Sequence, residues 1–313
     1  MILLSAALMH IPDGFLSVTI SVLFWALTAV ALATAVRRSQ ALFDERLAPL
    51  AGIMAAFIFA AQMINFPVAG GTSGHLLGGA LAAIVLGPWV GMLVMACVIG
   101  VQGLLFQDGG LLVMGANIFN MGLVTVVVGY GLYRLANGRN RPTTFIIAGA
   151  AAWLSVMAAA LFTALQLWLS GTVALNIVVP AMLGVHALIG LGEALITLAA
   201  LAFIFRVRPD LLGAETTRGG RGWIVAGVTL ALAVVLLAPL ASASPDGLER
   251  VAEDIGFIHT AVAAPYEILP DYTIPFIGSE NLSTVVAGAV GVLAVAALAL
   301  LLIRLTRRSA TRP

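Results

Sequence analysis

Apolar residues run through this chain in blocks of bilayer length, separated by short polar stretches that hold nearly all of its ionisable groups. A membrane-crossing helix needs about 20 predominantly apolar residues. Blocks of that kind fall at 15–36, 47–65, 111–134, 143–169, 177–205, 223–241 and 284–303. The block 75–106 is too long for one helix and carries Gly87-Pro88, a helix-breaking pair, in its middle. It divides into a short helix at 75–87 and a full one at 88–106, with a tight turn at the cytoplasmic face. The pattern therefore predicts an all-α, polytopic membrane protein of about nine transmembrane helices. A Gly- and Arg-rich linker, 206–222, divides it into seven spans and two.

Composition agrees with that reading. Of 313 residues, 61% are hydrophobic and only 9% charged, against about a quarter charged in soluble domains; the mean hydropathy is +1.10. The net charge of +1 says little about partners and points to no nucleic acid. The placement of charge says more, because basic residues collect on the cytoplasmic side. All fifteen basic residues are arginines. With nine spans and an outside N-terminus, every one but Arg250 falls in the cytoplasm, in the loops after the first, fifth and seventh spans and in the tail. The C-terminus is then cytoplasmic, and the chain a multi-pass protein of the cell inner membrane. The outer face holds the N-terminal stretch, the segment 66–75, turns at 107–110 and 170–176, and a long polar excursion at 242–283. Cys97 alone excludes an intramolecular disulfide and any cysteine-rich metal site.

Met9-His10-Ile11-Pro12-Asp13-Gly14 is polar and nearly N-terminal. If the mature chain begins at Met9, its free amine, the His10 amide nitrogen and the His10 imidazole lie within one chelating reach. Such an end arises by translation from Met9 or by removal of residues 1–8; an extension left in place spoils the amine ligand. A fourth nitrogen from His75 completes a plane that suits Ni(II) and accommodates Co(II). His75 follows the glycine-rich stretch Asn65 to Gly74 and is expected to open a helix. That stretch is no phosphate-cradling loop, since no Gly-Lys-Ser/Thr follows.

Other polar groups have more than one reading. His186 and Glu193 are ionisable groups inside a span, seven residues apart on one helix face. They either carry function, with His186 orienting a metal ligand, or lock helices together. Asn117 and Asn120, three apart, read as interhelical glue. Gln62 and Asn65 either close over a site or cap a helix. Asp246, Glu249, Glu253 and Asp254 in the excursion read as an ordinary solvated face.

Met9 to Phe15, Phe66 to Gly78, Gly87-Pro88-Trp89, Gly115-Ala116-Asn117-Ile118 and His186 through Glu193 resemble the substrate-specific component of cobalt/nickel energy-coupling factor transporters, the CbiM/NikM type, over roughly residues 9–205. Pro245-Asp246-Gly247-Leu248-Glu249, with one span on either side in 223–313, resembles the small PDGLE-type accessory subunit, here fused. The resemblance implies a metal site made of the Met9 amine, the His10 amide and imidazole, and the His75 imidazole. It implies as partners a transmembrane coupling subunit and cytosolic ATP-binding cassette ATPases, with Co²⁺ or Ni²⁺ as cargo and no catalytic cofactor. The rival reading is an ion-coupled secondary transporter with His186 and Glu193 as a proton relay. A membrane protease would need a nucleophile–base pair or His-Glu-x-x-His, and neither is present.

Overall fold

The computed structural model describes residues 9–40, 47–207 and 222–310. The extension 1–8 and most of the linker 206–222 lie outside the described residues. Eleven α-helices follow in order: α1 Val18–Ser39, α2 Leu47–Gln62, α3 Gly79–Leu86, α4 Pro88–Leu105, α5 Met114–Asn117, α6 Thr125–Tyr133, α7 Arg141–Leu169, α8 Leu175–Val207, α9 Gly222–Val235, α10 Gly247–Ile255 and α11 Glu280–Ala310. A π-helical stretch, Ile118–Val124, joins α5 to α6.

Among the described residues, seven helical stretches are long and apolar enough to cross a membrane, including Met114–Ala136, Trp223–Leu240 and Glu280–Leu305. The other two predicted segments form shorter helices. α2 has 16 residues and α3 has 8, or about 24 Å and about 12 Å at 1.5 Å per residue. α3 cannot cross alone, yet all eight of its residues are buried inside the bundle. Gly87 ends α3 and caps α4 at φ +78°, with Pro88 in the first turn of α4. The division at this pair is thus made by the conformation only glycine adopts readily, followed by a ring that suits a helix start.

Val18, Val22, Leu23 and Val30 on α1 stay exposed, as do Leu293 and Leu301 on α11, as expected where lipid supplies the contact. Small residues let the C-terminal helices approach α2 closely. Gly288 faces Met63, Gly291 faces the Phe59 ring, and Gly227 faces Ile53.

One end of the bundle gathers the irregular segments. Residues 66–74 form a hairpin, β1 Phe66–Val68 antiparallel to β2 Thr72–Gly74, with Phe66 opposite Gly74. Gly70 and Gly71 turn it at φ +80° and +71°. The excursion 242–283 lies against it: Ser242 N–H donates to Asn65 O at 2.7 Å and Ser73 N–H to Pro245 O at 2.8 Å. It also reaches the N-terminal stretch, where Asp13 and Val262 form an antiparallel bridge. Three backbone segments far apart in sequence therefore converge there.

Candidate metal centre

Met9 and His10 sit in a buried irregular segment, 7% and 2% exposed. Asn117 holds that segment by its backbone. Its Nδ2 donates to Ile11 O and its Oδ1 accepts from Ile11 N, each at 3.0 Å. Asp13 fastens the far end, accepting from Leu111 N and Val113 N at 3.1 Å each. The glue reading therefore fits Asn120, whose amide pairs with Gln166 and Thr163. Asn117 is instead a clamp for the residue next to His10. An amide that matches both backbone groups of one residue is not foreseeable from spacing alone.

His75 is 6% exposed and precedes its helix rather than opening it, since α3 starts at Gly79. The reason is Glu193. Its buried carboxylate accepts from Leu77 N at 2.6 Å and Gly78 N at 2.9 Å, and Gly78 takes φ +81° as the α3 N-cap. Those N–H groups, drawn to a side chain, keep 75–78 out of the helix.

The His10 and His75 rings lie 5.7 Å apart between centroids, tilted by 41°. His75 Nδ1 lies 3.0 Å from Leu76 O, and Nε2 lies 3.0 Å from Met9 O. A neutral imidazole carries one N–H. Each His75 nitrogen faces a carbonyl, so either can carry that N–H and donate to the oxygen it meets. The same donation to a backbone carbonyl orients histidines that ligate metals. His10 Nε2, in addition, is buried with no hydrogen-bond partner. The two rings line a cavity of about 60 Å³ together with Met9, His186 and Asp246.

Two carboxylates border the site. Asp108 Oδ1 is 2.7 Å from His10 Nδ1, and its Oδ2 accepts from the Tyr272 hydroxyl at 2.6 Å. Burial works against the ionised Asp108 carboxyl, but the neighbouring His10 and the hydrogen bonds from His10 and Tyr272 hold it below the usual carboxylate range. Burial and that same carboxylate push the Tyr272 hydroxyl well above its ordinary value. Asp246 Oδ2 lies 3.9 Å from His75 Nε2. Burial pushes Asp246 up to about 7, against the hydrogen bond it accepts from Glu249 N.

The solvated-face reading of the excursion therefore fails at Asp246, which is 5% exposed. It caps α10 in a reciprocal box with Glu249, and the cap turns it inward. The reading stands for Glu253 and Asp254, which are exposed. Asp108 and Tyr272 escaped the sequence reading. The one available signal was Asp108 itself, the single acid in the turn 107–110.

The remaining candidates scatter. His186 donates from Nδ1 to Met182 O at 2.8 Å and lines the cavity beside Gly247, so it shares the space with His75. Glu193 serves the 77–78 backbone instead, so the two do not form a relay with each other. Asn65 contacts the excursion through its carbonyl, and Gln62 Nε2 donates to Leu77 O at 2.9 Å.

Comparison with known proteins matches this geometry to a family. Residues 10–211 match the cobalt uptake substrate-specific transmembrane region, CbiM, and residues 221–308 match the PDGLE domain. A putative fused nickel transport protein, NikMN, of Archaeoglobus fulgidus is 39% identical over 96% of this chain and 99% of its own length. A probable fused nickel transport protein, LarMN, of Lactiplantibacillus plantarum is 35% identical over 74% of each chain. The crystal structure of a truncated transition metal transporter superposes with a TM-score of 0.57 at 34% identity, covering 63% of this chain and 99% of that one. The chain belongs to the CbiM family of cobalt uptake substrate-specific transmembrane proteins, carries a PDGLE domain in the same polypeptide, and is a multi-pass membrane transport protein rather than an enzyme.

Proposed function

We propose that this protein captures Co²⁺ or Ni²⁺ as the substrate-binding membrane component of an energy-coupling factor transporter. The carrying observation is the buried pairing of His10 and His75, rings 5.7 Å apart, beside Met9 on one cavity. The Met9 amine, the His10 amide and imidazole, and the His75 imidazole are the ligands in this reading. Four nitrogens in a plane suit Ni(II) and accommodate Co(II). The transported cation is the substrate, and each residue has one task. Asn117 holds the chelating segment, the Leu76 and Met9 carbonyls orient the His75 ring, and Glu193 holds the segment that carries His75.

The N-terminal stretch faces outward in this reading and the arginine-rich loops face the cytoplasm, in a cell inner (plasma) membrane. A transmembrane coupling subunit and cytosolic ATP-binding cassette ATPases supply the energy, since no nucleotide-binding motif occurs in the chain itself. The chain divides into an S-component part, 9–205, and an accessory part, 223–313. A proton relay through Glu193 sits poorly with a carboxylate whose two oxygens already accept from Leu77 N and Gly78 N.

His10→Ala and His75→Ala are each expected to abolish nickel and cobalt binding in calorimetry while membrane insertion is unchanged. Wild-type affinity in both variants would overturn the ligand assignment. Sequencing the N-terminus of the purified protein checks that Met9 carries a free amine, and dependence of uptake on the ATPases separates this reading from secondary transport.

A further inference from the structure

The Asp108 carboxylate joins the two parts of the chain at the metal centre. One oxygen meets His10 Nδ1 at 2.7 Å, the other accepts from the Tyr272 hydroxyl at 2.6 Å, and Asp108 is 5% exposed. The turn that carries it is moulded onto the His10 segment. Gly110 N–H donates to Ile11 O at 3.0 Å. Gly109, at φ +96°, leaves no room for a side chain: a Cβ there would stand 2.8 Å from His10 Cβ. Gln107, one residue before Asp108, takes φ +58°, the kind of strained backbone that persists where the surroundings enforce it. Tyr272 reaches Asp108 from the excursion, with its ring stacked on Phe106 at 4.7 Å.

Chelation through His10's own amide closes a six-membered ring only through Nδ1, because Nε2 points away from its own backbone. In this structure Nδ1 is held by Asp108 and Nε2 has no partner. A half-turn of the imidazole about Cβ–Cγ presents Nδ1 to the cation and puts Nε2 where Cε1 stood, and a further tilt of the ring turns Nε2–H onto the carboxylate. We infer that Asp108 is the orienting carboxylate of His10, holding Nδ1–H in the metal-free protein and Nε2–H in the loaded one, and that Tyr272 of the PDGLE-type segment fixes that carboxylate in place. Asp108 and Tyr272 are thus positioning residues that act on the metal through His10. A carboxylate behind a ligating histidine sets its tautomer and raises its basicity. The PDGLE-type segment thereby tunes the site without touching the cation. The inference rests on the His10 chelate proposed above.

Nickel titration of the full chain purified from membranes tests it, together with ¹⁵N NMR of histidine-labelled, metal-free protein, His10 being assigned by its loss in His10→Ala. Asp108→Asn is expected to weaken nickel binding about ten- to a hundredfold and to move metal-free His10 away from the Nδ1–H tautomer. Tyr272→Phe removes only a hydroxyl and keeps the stack on Phe106, so it tests the inference even if Asp108→Asn fails to assemble. It is expected to weaken binding severalfold, and the double variant to bind no worse than Asp108→Asn. Nickel affinity of Asp108→Asn within twofold of wild type, or an unchanged His10 tautomer, would overturn the role of Asp108; unchanged affinity in Tyr272→Phe would overturn that of Tyr272. Nickel binding by His10→Ala at wild-type strength would instead overturn the chelate, while the metal-free tautomer still reports on Asp108.

Discussion

Glu193 offers a quantitative test of how the bundle presents His75. Its carboxylate is fully buried and accepts from two consecutive backbone N–H groups, those of Leu77 and Gly78, at 2.6 Å and 2.9 Å, just beyond His75. A hydrogen bond to a charged group contributes about 1.5–3 kcal/mol. Glu193→Ala therefore removes roughly 3–6 kcal/mol and strands two buried donors. Glu193→Gln is more discriminating. Its amide oxygen keeps one N–H, while its NH₂ opposes the other, a loss of about 2 kcal/mol. If that loss falls on the 75–78 segment, the fraction of molecules holding His75 ready for metal drops, and apparent affinity drops in proportion. At about 1.4 kcal/mol per tenfold, nickel binding should weaken roughly thirtyfold. Calorimetric titration in detergent, alongside thermal unfolding, measures both quantities. Affinity within twofold of wild type, with uptake abolished, would refute the scaffold role and favour a proton relay.

Two further perturbations probe the same end of the molecule. Gly109→Ala forces a side chain into a φ of +96° and against His10 Cβ and Asn117 Nδ2, at 2.8 and 2.9 Å. It should cost about 1–3 kcal/mol from backbone strain alone and depress nickel affinity more than a Gly70→Ala control, where a Cβ meets nothing; equal affinities would sink the argument. Asp246→Asn tests the burial of the excursion's carboxylate. The folded value of about 7 lies above the ordinary 3.8, so the folded, metal-free chain binds that proton more tightly than the unfolded chain. The penalty is absent below about pH 4 and grows until about pH 7. Asparagine keeps the helix cap, so the variant's melting temperature should gain on the parent's between those limits and run parallel above them. An offset independent of pH would contradict the burial.

The helices were legible because lipid imposes a length and a composition on anything that crosses it. Gly87-Pro88 divided one long block because φ +78° and a proline ring each carry a local cost visible in the residue type. His10 and His75 were legible as candidates, being histidines beside a possible amine and a glycine-rich turn, and the fold brings their rings to 5.7 Å. Asp108, Tyr272 and Asp246 were not, because their role depends on which backbone lies over which. A short turn and a polar excursion have no periodicity to report that. Glu193 was visible as an ionisable group in a span, but its partners are main-chain N–H groups, which every sequence contains.

The hydrogen bond between Tyr272 and Asp108 spans 164 positions, and that between Asp108 and His10 spans 98. Chains emerge from the ribosome N-terminus first, so His10 reaches the membrane long before the residues that complete its surroundings. Until position 272 has been made, the polypeptide contains the His10 segment and Asp108 but not the hydroxyl that steadies that carboxylate. A prematurely ended product would therefore carry His10 and His75 without the Tyr272 hydrogen bond to Asp108. Completion of the site is in that sense a late event in biogenesis, set by the order of synthesis.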